Sequence, residues 1–295
     1  MRVSGFTFLR NGVRLGYPFE ASIRSILPIV DEFIVCIGAG DDETRERVLA
    51  IGNPRIRVVD SVWNEGMRDR GFVYAQQKMI AHFQCTGDWA FYLEADEVVH
   101  EEDLPAVVKG MERYLDRPGV EALAFDYLHF YGTPGQVADS PAWYRRAVRI
   151  VRNSVRMYSP DGLFFAVLES NRRGRYPRAA AIGVPIYHYG HVRSTESMAR
   201  KLTGVGMFWG ETDGEFGGYG RIDPRVLKPF LGTHPVVVRA WLAAEAEQEW
   251  HPDPGYRISR REGKHRFMMW LERTFGLELS KKHFRLVDVD HTRWM

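Results

Sequence analysis

Through the first 115 residues, apolar positions alternate between a strand-like and a helix-like spacing. Short continuous apolar runs predict strands at Val3–Leu9, Glu32–Ile37, Ile56–Val59 and Trp89–Leu93. Helical spacing predicts helices at Pro18–Leu27, after the turn Gly38-Ala39-Gly40, at Asp69–Phe83 and at Asp103–Leu115. In the Asp69–Phe83 helix, one broad apolar stripe is predicted from Phe72, Tyr74, Ala75, Met79 and Phe83. This alternation predicts an α/β fold with a mainly parallel, twisted sheet flanked by helices.

From Ala122 onward the apolar runs become longer and fewer helices separate them. The runs ALAFDYLHFYG, RAVRIVRN and GVPIYHYG predict strands, and the chain turns helical again after Thr195. Helices are predicted at Glu196–Trp209, Val236–Glu249 and Glu262–Phe275. The segment 211–225, rich in glycine and acids, is open to two interpretations, a flexible lid or a long connection.

The charge is distributed unevenly along the chain, which has 295 residues and a formal net charge of +2. Residues 1–144 carry 14 Lys and Arg against 22 Asp and Glu, whereas residues 145–295 carry 26 against 16. The basic second half therefore suits anionic partners such as phosphates, acidic glycans or a membrane surface. With 45% hydrophobic residues, the chain is too apolar for a disordered protein.

The cysteines and the absence of long apolar segments bear on the compartment. Cys36 and Cys85 lie in or beside apolar runs, so we expect buried free thiols in a reducing compartment. No run approaches 18 apolar residues, and the first residues lack the apolar core of a signal peptide. The expectation is a soluble, cytoplasmic protein, with peripheral contact at the inner face of the membrane left open.

The stretch FYLEADEVVHEEDL places three acids directly after an apolar strand. Clustered carboxylates repel one another and are costly to bury, so Glu94, Asp96 and Glu97 need a positive partner or exposure to solvent. Ligands bind beyond the carboxyl ends of strands in parallel sheets, and carboxylates are the ligands that Mg²⁺ or Mn²⁺ prefers. Such an ion could carry a diphosphate. The alternative is a solvated turn whose acids favour the N-terminus of the following helix.

The stretch GDWAFYLEADEVV resembles the strand and acidic turn of glycosyltransferase family 2, in which the turn usually reads Asp-x-Asp. The upstream run FTFLRN and the closing Asp42-Glu43-Thr44 fit the same family. The chain departs from the family pattern at three positions: Ile37 replaces an aspartate that often contacts the donor nucleotide, Gly40 replaces a serine, and Glu94 replaces the first Asp. The segments Val167-Leu168-Glu169 and Pro185-Ile186-Tyr187-His188 are similar to the V-H-E and P-x-x-H of a branch that includes bacterial lipopolysaccharide-core glycosyltransferases.

The resemblance covers roughly residues 2–193 in motif order and implies a GT-A fold. Residues 1–193 would form the nucleotide-sugar-binding and catalytic domain, and 194–295 a helical, basic extension. The implied reaction moves a sugar with inversion from a nucleotide-diphosphate donor to the hydroxyl of a glycan or lipid-linked acceptor, in bacterial surface glycan synthesis. Glu94, Asp96 and His188 would bind Mg²⁺ or Mn²⁺, although a strand histidine is also an ordinary packed residue. Candidate donor contacts are Thr7, Phe8, Arg10, Asp42, Lys78 and Arg193.

The general base of such a transfer has two candidates. Glu169 follows the apolar run Leu163–Leu168, and partial burial would raise its pKa toward the range of a base. The alternative for Glu169 is an acid that forms ion pairs with Arg172 and Arg173. Asp161 is the second candidate, and it equally fits an ordinary turn residue in SPDG.

Several other chemistries lack their motifs. The chain has no G-x-x-x-x-G-K-[ST] loop, no H-E-x-x-H, no G-x-S-x-G and no paired C-x-x-C. No nucleic-acid-binding module is recognisable, so nucleic acid is not an expected partner. Two rivals to a glycosyltransferase stay open: a metal-dependent nucleotidyl- or phosphoryl-transfer enzyme, and a catalytically silent nucleotide- or glycan-binding relative.

Overall fold

The structure, a computed structural model, describes residues 1–209 and 216–287 of the chain. Its strands are β1 Val3–Leu9, β2 Glu32–Gly38, β3 Ile56–Ser61, β4 Trp89–Tyr92, β5 Glu97–Val99, β6 Ala122–Tyr131, β7 Thr133–Ala138, β8 Arg146–Arg152, β9 Met157–Tyr158, β10 Ala166–Ser170, β11 Arg173–Arg175, β12 Arg178–His191, β13 Leu227–Pro229 and β14 Arg285–Leu286. Its helices are α1 Phe19–Ile26, α2 Thr44–Ala50, α3 Phe72–His82, α4 Leu104–Tyr114, α5 Thr195–Gly206, α6 Arg239–Glu245 and α7 Arg260–Phe275. Short 3₁₀ turns lie at Leu27–Ile29, Glu101–Asp103, Pro224–Val226 and Val236–Val238.

The predicted α/β architecture with a mainly parallel sheet is confirmed. Strands β3, β2, β1 and β4 lie side by side in that order and run parallel. Beyond β4 the sheet continues through two antiparallel neighbours, β8 and β6, and β6 pairs in parallel with the long strand β12. Strand β5 then pairs antiparallel with β12, which brings the chain after the acidic turn back into the same sheet.

Each face of the sheet carries its own apolar cluster because side chains alternate along every strand. On β4, Trp89 and Phe91 pack into the cluster that also contains Ile23 of α1 and Val107 of α4. Tyr92 faces the opposite cluster. Both cysteines belong to that second cluster as buried free thiols, as the sequence predicted. Helices α1 and α4 therefore cover one face, and α3 covers the other.

The apolar stripe predicted for α3 is wrong at its two ends, while Ala75 is buried as predicted. Phe72 and Phe83 are exposed, whereas the buried positions are Val73, Ala75, Gln77, Lys78, Ala81 and His82. The helix begins at Phe72 rather than Asp69 and presents His82 to the sheet, where its ring stacks on Phe6 at 5.1 Å. A glutamine and a lysine, Gln77 and Lys78, are thus buried although they lie outside the predicted stripe.

Polar contacts tie the last third of the chain to the sheet. The segment Gly232–Pro235 is attached by two side chains: Thr233 Oγ1 lies 3.0 Å from His100 Nε2, and His234 Nδ1 lies 2.9 Å from the Tyr189 hydroxyl. In α7, Glu272 accepts two hydrogen bonds from the Arg145 guanidinium, at 2.6 and 2.9 Å. None of the helices in the described ranges combines the length and apolarity that a membrane span requires.

Candidate functional site

A cavity of about 380 Å³ lies at the carboxyl ends of β1 and β4. Its lining comes from the chain after β1, the turn after β4, the loop Asp161–Leu163, His188 of β12 and the second half of α5. Ligands of open α/β sheets bind at this edge. Residue 209 belongs to the lining, while residues 211–215 of the segment predicted as lid or connection lie outside the described residues.

Aromatic rings form one wall of the cavity. The Trp63 ring contacts the Tyr74 and Phe208 rings, with centroid distances of 5.2 and 5.3 Å. Phe8 packs against Trp63 at 6.2 Å, and the Arg10 guanidinium lies 5.5 Å from the Trp63 ring centroid. The wall thus offers flat apolar surface next to a cation, a combination that suits a base or a sugar ring attached to an anion.

The acidic turn after β4 is neutralised in part by a buried arginine. Arg149 of β8 donates to both oxygens of Glu97, from Nε at 2.7 Å and from Nη2 at 2.6 Å. Its Nη2 also lies 2.8 Å from Glu94 Oε1. The Tyr127 hydroxyl and the Glu94 backbone N–H complete the shell of Glu97. Burial and the neighbouring Glu97 raise the pKa of Glu94 to about 8.

Asp96, the third acid, has separate cationic partners. Its Oδ2 accepts a hydrogen bond from the Lys201 ammonium at 2.8 Å and lies 3.5 Å from Arg193 Nη2. His188 Nε2 lies 3.8 Å from the other carboxylate oxygen. Burial alone would raise the pKa of Asp96, but Lys201, His188 and Arg193 together hold that pKa well below its usual value. Asp96 is therefore a charged carboxylate in a buried position.

Pairing between β5 and β12 brings His188 to Asp96. Glu97 and His188 face each other in the register of these strands, and the Tyr189 backbone N–H donates to the Asp96 carbonyl at 2.8 Å. His188 Nδ1 lies 2.9 Å from His129 Nδ1 on β6. Burial lowers the pKa of His188 to about 3, so the imidazole is neutral.

Arg193 is fully buried beside Asp96, and not all of its N–H groups are hydrogen-bonded within the described residues. Its Nη1 donates to the Leu15 carbonyl, while Nε and Nη2 have no hydrogen-bond partner in the described part of the chain. The guanidinium lies 4.7 Å from the Tyr17 ring centroid, and the Lys201 ammonium lies 5.1 Å from it. One aromatic ring therefore supports both cations next to Asp96.

The residues predicted to bind Mg²⁺ or Mn²⁺ do not fit a metal ion as they stand. Lys201 occupies Asp96 Oδ2 and Arg149 occupies Glu94 Oε1, so both predicted carboxylates already hold protein cations. A divalent ion beside Asp96 would meet the positive charges of Lys201 and Arg193. In the ranges 1–209 and 216–287, no group of three or more His, Cys, Asp and Glu side chains is arranged to hold a metal.

The structure brings together part of the predicted set. Phe8, Arg10, Glu94, Asp96, Asp161 and His188 line the cavity. Thr7 lies beneath it, where its hydroxyl donates to the Leu93 carbonyl at 2.7 Å. Asp42 accepts hydrogen bonds from Thr44 at the start of α2 and from the Arg14 backbone N–H at 2.8 Å. Thr7 and Asp42 therefore organise the loops that shape the cavity.

Lys78, one of the predicted donor contacts, does not line the cavity. It is fully buried, with its ammonium 4.0 Å from the Tyr92 ring centroid and 3.8 Å from that of Phe165. It donates to the Gly162 carbonyl at 3.0 Å, beside the cavity loop. Burial is the main cause, and the positive charge of Arg149 the second, that lowers the pKa of Lys78 well below its ordinary value. Gly162 has φ +85°, and an added Cβ would lie 2.5 Å from Tyr74 Cβ.

The predicted partial burial of Glu169 is wrong. Glu169 is exposed on β10, in the small sheet β11-β10-β9, and does not line the cavity. It forms ion pairs with Arg173 at 3.3 Å and Arg175 at 3.0 Å, close to the ion-paired alternative. Asp161, the second candidate, does line the cavity, and its carboxylate accepts from the Leu163 backbone N–H at 2.9 Å.

Several residues of the site lie outside the set predicted from the sequence, among them Arg149, Trp63 and Lys201. Arg149 had a detectable signal, because a charged residue between Val148 and Ile150 in a strand requires a buried partner. Trp63 follows the carboxyl end of β3 by two residues, a position where ligand contacts are common. Lys201 had no such signal, since surface lysines are frequent on amphipathic helices.

Comparisons with known proteins give likenesses to solved structures only. No family model and no curated protein matches the chain. A crystal structure of S. aureus TarS 1–349 in complex with UDP is 15% identical over 52% of this chain and 47% of that chain, with a TM-score of 0.37. The UDP-GlcNAc complex of the same protein is 14% identical over 70% and 66%, with a TM-score of 0.43. Glucosyl-3-phosphoglycerate synthase from Mycobacterium tuberculosis, with Mn²⁺, UDP-glucose and phosphoglyceric acid, is 20% identical over 43% and 44%, with a TM-score of 0.31.

Proposed function

We propose that this protein is an inverting glycosyltransferase that moves a sugar from a nucleotide-diphosphate donor to an acceptor hydroxyl. The observation that carries the proposal is the cavity at the carboxyl edge of β1 and β4, which joins an aromatic wall to buried cations and acids. The order of motifs that resembles glycosyltransferase family 2 supports the same assignment. The acceptor would be a glycan or a lipid-linked glycan of surface polysaccharide synthesis.

Different parts of the cavity suit the rings and the diphosphate of the donor. The aromatic wall at Trp63 and Tyr74 would stack against the base or the sugar ring. Arg10 and Arg14 line the same cavity and form ion pairs at its rim with Glu65 and Asp41. These guanidinium groups would exchange a surface carboxylate for the diphosphate, to which arginine binds with matched geometry.

Asp161 is the residue we propose as general base. An inverting transfer needs a carboxylate near the acceptor hydroxyl, and the general base must come within hydrogen-bond reach of the proton that it takes. Asp161 lines the cavity, and its hydrogen bond from the Leu163 backbone holds the carboxylate in place. We expect Asp161→Asn to retain nucleotide binding and lose sugar transfer.

Nucleotide binding is the first test of the proposal. Thermal unfolding would be measured with UDP, GDP, CMP and dTDP, for the wild type, Arg10→Gln and Arg45→Gln. Arg45 is the matched control, because it forms an ion pair with Asp60 at an exposed position outside the cavity. A nucleotide-selective rise in the unfolding temperature that is lost only in Arg10→Gln would support the site. No rise with any nucleotide would contradict it.

Product analysis separates the proposed reaction from its rivals. With a nucleotide-sugar donor, a glycosyltransferase releases a nucleoside diphosphate and a sugar-extended acceptor that gains no phosphate. A nucleotidyl- or phosphoryl-transfer enzyme would leave phosphate on the product. Selective nucleotide binding without turnover of any donor would identify a catalytically silent relative.

Helix α7 presents a surface that suits an anionic membrane. Phe267, Trp270 and Phe275 are 59%, 54% and 62% exposed, and their rings contact in series with centroid distances of 5.8 and 6.2 Å. The exposed charged side chains on this helix are all basic, namely Arg260, Arg261, Lys264 and Arg273. The two acids of α7 are occupied within the protein, Glu262 by Tyr256 and Glu272 by Arg145.

We therefore propose that α7 docks on anionic lipid and brings a lipid-linked acceptor within reach, since exposed aromatic residues with basic neighbours favour an interfacial position. Sedimentation with vesicles of phosphatidylglycerol and phosphatidylcholine tests this. Binding should weaken with salt and disappear in Phe267→Ser/Trp270→Ser. Phe83→Ser is the control, because Phe83 is 72% exposed on a different helix end. Equal binding of both variants would contradict the docking surface.

A further inference from the structure

The ammonium of Lys201 lies at the acidic turn where a diphosphate-bearing cation was predicted. Its Nζ is 2.8 Å from Asp96 Oδ2 and 3.0 Å from the Gly190 carbonyl. Resting on the proposed function, we propose that Lys201, anchored by Asp96 and supported by Arg193, is a built-in cation that binds the donor diphosphate in place of a divalent metal.

The hydrogen-bonding capacity of Lys201 supports this role. An ammonium group carries three N–H donors, and Asp96 and Gly190 use two of them. In the described part of the chain, the third N–H has no protein acceptor, and Lys201 lines the cavity. Asp96 would thus orient the ammonium while one donor is directed to a bound anion.

The charge balance around Asp96 also calls for an anion. One carboxylate faces two cationic side chains, because Lys201 Nζ lies 2.8 Å and Arg193 Nη2 lies 3.5 Å from the same Asp96 oxygen. Arg193 keeps two buried nitrogens without a hydrogen-bond partner in the described residues. A buried surplus of positive charge with unsatisfied donors is costly unless an anion compensates it. A phosphate oxygen at the cavity end of this group would supply that compensation.

The transfer step needs the charge that Lys201 provides. As the bond between the anomeric carbon and the β-phosphate oxygen breaks, its electron pair stays on that oxygen. A hydrogen bond from the Lys201 ammonium stabilises the added negative charge. The acceptor oxygen forms the new bond to the anomeric carbon from the opposite face, and Asp161 takes its proton. No proton is required from Lys201, so its charge persists throughout the step.

The experiment measures UDP binding by calorimetry in EDTA and in Mn²⁺, or with whichever nucleotide the thermal panel selects. The variants are Lys201→Met, Lys201→Arg and the matched control Lys228→Met. Lys228 also forms an ion pair with an aspartate, Asp139, but lies outside this cavity. The double variant Asp96→Asn/Lys201→Met removes both charges of the pair, which keeps the test informative where Lys201→Met alone fails to fold.

We expect the wild type to bind UDP with equal affinity in EDTA and in Mn²⁺. Affinity should fall about 10- to 100-fold in Lys201→Met and in the double variant, as for the loss of one charged hydrogen bond. Lys201→Arg and Lys228→Met should retain binding. Binding that requires Mn²⁺, or that survives in the double variant, would overturn the role of Lys201 and leave the proposed function standing. Absence of nucleotide binding under all conditions would overturn the proposed function itself.

Discussion

Replacing Arg149 by methionine should destabilise the protein more than any change at an exposed ion pair. Arg149 is 1% exposed and Glu97 is fully buried, and two charged hydrogen bonds of 2.7 and 2.6 Å join them. Without Arg149, the donors that Glu97 retains in the described part of the chain are two neutral groups, the Tyr127 hydroxyl and the Glu94 backbone N–H. Removing one partner of a buried ion pair typically costs 3–5 kcal/mol, and we expect a loss of about that size.

Urea unfolding at pH 7 measures the effect as a change in the free energy of unfolding. Arg146→Met is the control on the same strand, because its pair with Asp126 is partly exposed, and we expect a loss of about 1 kcal/mol or less. The double variant Arg149→Met/Glu97→Met should recover most of the loss, since an apolar pair can replace a buried ion pair. If Arg149→Met lowers the free energy of unfolding by less than about 1 kcal/mol, the buried pair of Arg149 and Glu97 does not stabilise the protein as expected.

Three further predictions concern Gly40, Glu169 and Glu121. Gly40→Ser introduces the serine of the family pattern, and its Cβ would lie 2.2 Å from Asn11 Oδ1. We expect it to lower the free energy of unfolding, measured in urea, by about 1–3 kcal/mol. Gly119→Ser is the control and should leave that free energy unchanged, because no atom of the described residues lies within 4 Å of a Cβ at this position. Glu169→Gln should keep nucleotide binding and sugar transfer within about twofold, and a loss near the 10²–10⁴-fold typical of a general base would reinstate Glu169 in that role. Burial alone would raise the pKa of Glu121, but hydrogen bonds from two arginines lower it overall. The stabilisation from these hydrogen bonds is present above the unfolded pKa of about 4.3 and is lost as the pH falls through the folded pKa. Glu121→Gln should therefore make the free energy of unfolding fall less steeply at acid pH. An unchanged acid part of the stability-against-pH curve would contradict this role of Glu121.

The sequence carries most of the information about where the site lies. Apolar runs identify β1 and β4, and parallel neighbours place the residues after them at one edge. The predicted and observed bounds of these strands agree at Val3–Leu9 and differ by one residue at Trp89–Tyr92. Arg10 and Asp96, which follow these two strands, both line the cavity.

The partners of the acids could not be predicted, because they depend on tertiary pairing. Arg149 reaches the turn only because β4 pairs antiparallel with β8, with Phe91 opposite Ile150. Lys78 lies outside the apolar stripe predicted for α3, and the packing of α3 against β1 and β2 decides that it is buried. The fold decides which cations reach the acids. The acidic turn in the sequence therefore indicates that positive charge is needed there, but not which residues supply it.

The contact between Lys201 and Asp96 has a consequence for how the protein is made. These residues are 105 positions apart, so the acidic turn emerges from the ribosome long before its cation does. A nascent chain that ends before α5 contains Arg193 but not Lys201, so Asp96 lacks the hydrogen bond that the ammonium donates, a costly loss for a buried carboxylate. We therefore expect residues 1–193 to remain incompletely folded until the following helix is synthesised. Chains that end before α5 would then be substrates for cellular proteases.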